Sequence, residues 1–214
     1  MANDLIHSAA AHAIEETAKA TAKGIDAVTQ GGQYVGSVLG DLPHDLVGFV
    51  GDWVKHKRIR RWAGLQAETD KILQARGIGN REEVSPSVAI PLIEAAINED
   101  REVLKQLWAK LLANALDPSR THFVRVSLIE LLKQFDPLDA LVLRELTDPK
   151  FNNFIPAGGD LAEALAKHLQ VDRDDAHLSL ERLFELRCLG AAPNDTPRPP
   201  VTSKGRALIR AVSD

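Results

Sequence analysis

The chain has 214 residues, 44% of them apolar, a single cysteine and a formal net charge of only −4 at neutral pH. That length allows one large domain or two small ones with a core of their own, and the lone Cys188 excludes an internal disulfide framework. So weak a net charge excludes a protein that wraps nucleic acid by bulk electrostatics, and no apolar run approaches the roughly 20 residues that span a bilayer as a helix.

The residues after Met1 lack a basic stretch followed by an apolar one, so no secretory signal is expected and a cytoplasmic place is. The charge is unevenly spread. Lys plus Arg against Asp plus Glu is 2 against 7 in residues 1–52, 14 against 10 in 53–135 and 10 against 13 in 136–214. The three stretches are read as an N-terminal helix with a glycine-rich apolar hairpin, a helical bundle with a basic first helix, and a C-terminal domain.

Residues 4–29 carry Ile6, Ala10, Ile14, Ile25 and Val28 at helical spacing, a narrow stripe that needs a neighbouring helix or a second copy of the chain. Residues 31–54 are glycine-rich yet apolar. Gly32, Gly36 and Gly40 stand four apart, Asp41-Leu42-Pro43 reads as a bend, and Gly48 and Gly51 repeat a small face. The basic run Lys55, Lys57, Arg58, Arg60 and Arg61 follows, bracketed by Trp53 and Trp62.

Two readings of residues 31–62 stay open. Glycines can serve close helix packing in a bundle with the cations as a solvated face, which suits a resting state because Asp41, Asp45 and Asp52 interrupt the apolar stretch. Alternatively, tryptophans beside five cations are the pattern of docking on an anionic inner-membrane surface, where each cation contributes about 1 kcal/mol. Gly32, Gly36, Gly40, Gly48, Gly51, Trp53 and Trp62 are the candidates for self-association or membrane contact. The five basic residues are the candidates for the anionic surface.

The basic helix is expected to run through Leu65, Ile72 and Leu73 until Gly77 and Gly79 stop it. Ser85-Pro86 is a cap followed by a proline at the first helical position. Further helices are expected over about 99–116, closed by Asp117-Pro118, and 121–134. Asp136-Pro137 starts the last unit with a helix from Leu138 to Leu146. Asp160 with Glu163 opens Leu161 to Leu169, and Asp172 opens a third helix with Gly190 as its C-cap. A proline-rich stretch to Pro200, a short strand at Val201 and a closing helix complete the chain.

That order resembles a winged helix-turn-helix domain, above all in "LERLFELRCLG" followed by "VTSKGRALI". The fold class expected is therefore mainly α, a helical bundle followed by a winged-helix-like domain with a short β wing. The resemblance implies DNA binding through the third helix. Against it, Asp172, Asp174, Asp175, Glu181 and Glu185 outnumber Arg173, Arg182 and Arg187 there, so nucleic acid is not an expected partner and protein contact is.

No catalytic or metal-ligating pattern emerges. The histidines at 7, 12, 44, 56, 122, 168 and 177 lack ligand spacing, Asp172, Asp174 and Asp175 lack the rest of a calcium loop, and the glycine pairs match no phosphate-binding loop. No enzyme activity and no cofactor are expected. Cys188 reads as a small core residue.

The blocks "VGDWVKHKRIRRW" (50–62), "SPSVAIPLIEAAINEDREVLKQLWAKLLANALDP" (85–118) and "FDPLDALVLREL" (135–146) resemble the Abi-alpha family. These are small bacterial proteins linked to abortive infection, in which an infected cell stops growing or dies before phage are released. The resemblance implies phage defence, and the expected partners are an unidentified protein or further copies of this chain. It carries no catalytic residue onto this chain, and the shared motifs look architectural, with Asn114 placed to cap or bridge helices.

Overall fold

A computed structural model describes residues 57–154, 159–191 and 198–213. The chain divides into two units, residues 1–64 and 65–214. Of the first, the structure describes the opening turns of α1 (Lys57–Ala75). The second holds the rest of α1 and then α2 (Pro86–Asn98), α3 (Glu102–Leu116), α4 (Val126–Leu132), α5 (Pro137–Thr147), α6 (Leu161–Leu169), α7 (Arg173–Glu185) and α8 (Ser203–Ala211). Two 3₁₀ segments, Thr121–Phe123 and Pro149–Phe154, lie between.

Local chemistry accounts for most boundaries. Gly77 takes a left-handed φ of 71° and ends α1, its amide and that of Ile78 reaching back to the carbonyls of Gln74 and Leu73. Ser85 caps α2 through its carbonyl, which accepts from Val88 and Ala89, while its hydroxyl pairs with Ser87. Asp160 and Asp172 accept the amides of Ala162 and Asp174 at 2.9 and 2.8 Å, as N-caps do. The helix expected over 121–134 is split, because its first turn is 3₁₀ and α4 begins only at Val126.

α3 is the centre of the second unit. From Leu111 to Leu116 every residue is buried, as is Trp108, so this end of the helix has no solvent face. A helix apolar all round is one enclosed by neighbours. Here α2, the first 3₁₀ turn, α5 and α8 supply the enclosure. α6 packs on α7 and α7 on α5, while α8 reaches α4 as well as α5.

Two expectations for the C-terminal stretch are revised. The left-handed residue that ends α7 is Arg187, with a φ of 57°, and not Gly190. Gly190 instead donates its amide to Pro200, while Thr202 donates to Cys188, both at 2.9 Å. These bonds frame one isolated antiparallel bridge, Leu189 with Val201, and no strand forms among the described residues. The ladder cannot lengthen on either side of Val201: Thr202 after it is already the N-cap of α8, and Pro199 and Pro200 before it have no amide to donate.

The same crossing explains why Thr202 and Gly205 stand three residues apart in "VTSKGRALI". The Thr202 hydroxyl donates to the Arg187 carbonyl at 2.7 Å and accepts the Gly205 amide at 3.1 Å. A Cβ on Gly205 would stand 2.6 Å from the Cys188 oxygen and 2.9 Å from the Val201 side chain. Glycine lets the first turn of α8 rest directly on the backbone that leaves α7.

Candidate functional site

Of the residues singled out for self-association, Gly32, Gly36, Gly40, Gly48, Gly51 and Trp53 lie outside the described residues, as does Lys55. Lys57, Arg58 and Arg60 fall in the first turn of α1. Arg61 is exposed on that helix, whereas Trp62 is buried at 2%.

The buried polar side chains of the quoted motifs gather at two points. The first gathers the end of α3 and the end of α8. Asn114, fully buried, donates its Nδ2 to the carbonyls of Ala211 and Ser213 at 2.8 and 3.1 Å and accepts Arg76 Nη1 on its Oδ1 at 2.7 Å. Arg76 and Arg120 also donate to the Ser213 carbonyl, at 3.2 and 3.1 Å. The carbonyls left over at a helix C-terminus are thus met by an amide and two guanidinium groups. Asp117 lies beside both arginines, 3.7 Å from Arg76 and 3.9 Å from Arg120. Burial acts to raise its carboxyl, but the hydroxyl and amide of Ser119 and the two arginines outweigh that and hold it below its ordinary value.

The second point joins the α2–α3 turn to α5 and α7. Asp139 is 2% exposed; its Oδ2 accepts the Asp136 amide at 2.8 Å, closing half of a capping box, and its Oδ1 accepts the Ser179 hydroxyl at 2.7 Å. Arg182 stands 3.1 Å from Asp139 and 3.3 Å from Asp136, and donates to the Gln134 carbonyl at 3.2 Å. Arg101 bridges Glu99 and Asp136 at 2.9 and 2.7 Å. Burial pushes the Asp139 carboxyl above its ordinary value despite the Asp136 amide, Ser179 and Arg182. No sequence signal marked Ser179 or Arg182 as its partners, since they lie some forty residues further along.

Elsewhere Cys188 is fully buried, and its thiol is pushed up to about 11 by burial, so it stays protonated at neutral pH. His168 pairs with Glu145 at 3.1 Å, and its ring centroid lies 4.6 Å from that of Phe154. A groove of about 210 Å³ runs between α3, α5 and α8, lined by Leu107, Leu141 and Ile209 with Lys110 and Arg144 among its polar groups. Among the described residues, no group of His, Cys, Asp or Glu side chains is placed to hold a metal ion. None of the described helices is long and apolar enough to cross a membrane.

The solvent face of α7 has a different character. Asp174, Leu178, Glu181 and Glu185 recur at helical spacing on one stripe, and all are exposed. Leu178 is 63% exposed and Phe184, just beside the stripe, 40%.

The family model for Abortive infection alpha matches residues 58–198, from the first turn of α1 to the residues before α8. The chain belongs to that family, which ties it to abortive infection. No curated protein and no solved structure matches it.

Proposed function

We propose that this chain is a non-enzymatic phage-defence protein that acts in abortive infection by contact with a protein partner and by self-association. In this reading residues 136–214 are a winged-helix-like unit that meets the partner. Residues 31–62 carry the effector step, as a self-associating hairpin or on an anionic membrane surface, which would give the cytoplasmic chain a peripheral place on the inner membrane. One observation supports it most. The buried polar residues of the family blocks, Asn114, Asp117 and Asp139, are spent on holding helix ends, which leaves exposed surfaces to act.

The experiment is phage challenge of cells carrying the wild type, Gly36→Leu or Gly48→Leu at matched expression. Loss of protection in either variant, with the fold of residues 85–214 intact, is expected; full protection by both overturns the assignment of the glycine segment. Co-sedimentation with anionic and neutral liposomes, beside a variant with Lys55, Lys57, Arg58, Arg60 and Arg61 changed to Gln, separates lipid contact from self-association. Binding to anionic vesicles that the variant loses assigns the cations to lipid. Protection without any vesicle binding assigns the segment to protein contact.

A second reading, a winged-helix regulator or adaptor that binds DNA or protein, draws on the way Thr202 and Gly205 seat α8 against the end of α7. The acidic outer face of α7 opposes its DNA form, since phosphates are repelled there. A salt-dependent shift of duplex DNA by the full chain would favour it.

A further inference from the structure

The outer face of α7 sets an exposed apolar side chain among acidic ones. Its centre is apolar, with Leu178 at 63% exposure, and its rim is acidic, with the side chains of Asp174 and Glu181 at 92% and 60%. Asp174, Leu178, Glu181 and Glu185 follow one another by four, three and four residues, so they form a stripe along the helix.

The cations of the same helix do little to neutralise it. Arg182 is drawn to the other side by Asp136, Asp139 and the Gln134 carbonyl. Arg173 donates from Nε to Asp160 at 2.9 Å, keeping only a 3.7 Å approach to Asp174. His177 lies 3.4 Å from Glu181.

We infer that this face docks a basic amphipathic helix of a protein partner, with Leu178 as the apolar anchor and Asp174, Glu181 and Glu185 pairing with lysines or arginines around it. The inference rests on the reading of residues 136–214 as a protein-contact unit and names the chemistry of what is contacted. Charge complementarity selects the occupant. Nucleic acids and acidic peptides are repelled by the rim, a purely apolar surface offers the three carboxylates no cations, and a helix with cations flanking an apolar seam satisfies both parts.

The test uses the full chain and a fluorescein-labelled synthetic helix of 18 residues, leucines on one seam and lysines beside it, followed by anisotropy. The length is about five helical turns. Two control peptides carry glutamate for lysine, or the same composition in scrambled order. Binding of the lysine helix alone, weakened about tenfold or more by Leu178→Gln and by the double change Glu181→Lys with Glu185→Lys, is expected. No binding, equal binding to both variants, or equal binding of the scrambled peptide overturns the inference. Circular dichroism on the two variants checks that α7 is intact.

The same variants in phage challenge keep the two readings apart. Lost protection without any peptide binding overturns the partner chemistry and leaves protein contact standing. Peptide binding that depends on Leu178 and Glu181, beside full protection by the variants, upholds the docking face and overturns protein contact as the route of defence.

Discussion

The side-chain amide of Asn114 donates to the backbone carbonyl of Ala211, 97 residues further along the chain, at 2.8 Å. This bond joins the centre of the second unit to the end of its last helix. The Asn114 side chain faces donors and acceptors at once, receiving Arg76 on its oxygen while its nitrogen serves Ala211 and Ser213.

Asn114→Ala should therefore destabilise by more than its size implies. It orphans the Ala211 carbonyl and removes a partner of Arg76, and a buried group left without its hydrogen bond costs about 1–3 kcal/mol. Asn114→Asp should be worse, because it replaces the donor with an acceptor facing two carbonyls. Urea unfolding of both variants, with an unchanged slope, measures it. An aspartate variant as stable as the wild type would contradict this orientation of the amide.

Gly205→Ala tests the contact between α8 and the Cys188 carbonyl. Helix propensity alone favours alanine over glycine by about 1 kcal/mol. The added Cβ would meet a backbone oxygen at 2.6 Å, and overpacking of this kind costs about 1–3 kcal/mol. Since the obstacle is backbone and not the tip of a flexible side chain, packing should outweigh propensity and Tm should fall, by about 2–4 °C for each kcal/mol in a chain of this size. A higher Tm would mean that α8 can shift away freely.

Asp117 and Asp139 should leave opposite marks on the pH dependence of stability. The carboxyl of Asp117 is held below its ordinary 3.8, so its contribution is full above that pH and is lost as the pH falls through its folded value. That of Asp139 is raised above 3.8, so the folded chain takes up its proton first, and stability from this group grows as the pH falls from neutral through the raised value. Wild type minus Asp139→Asn should therefore increase on mild acidification, and wild type minus Asp117→Asn should decrease on stronger acidification. Thermal unfolding of the three proteins over pH 7 to about 3 checks both signs. Parallel curves for the two variants would refute the assignment.

These same residues show what the sequence could reveal. Ser85-Pro86, Asp136-Pro137, Asp160 and Asp172 announce helix starts because a cap is decided by a residue and its neighbours within a turn. The leucines of α3 announce a buried face for the same reason, and a family block rich in such signals is recognisable from them. The ends are harder. Gly190 is the residue expected to turn left-handed, but its amide is committed to Pro200, and Arg187 takes that conformation three residues earlier. The partners of Asp139 and Asn114 lie on other helices, and no local rule selects them. For residues 31–56 the proposed effector role rests on the spacing of the glycines and on the tryptophans beside the cations.

The convergence of Arg76, Asn114 and Arg120 on Ser213 has a consequence in time. Helical proteins usually form fast, because most of their contacts are near in sequence. Here Arg76 and Ser213 are separated by 137 positions, so closing this junction carries the entropic cost of a long loop and slows folding. The last helix is then no loose appendage. Amides of α8 and of the C-terminal half of α3 should exchange with solvent through one shared opening event, and a cell that unseats the final turn loosens the centre with it.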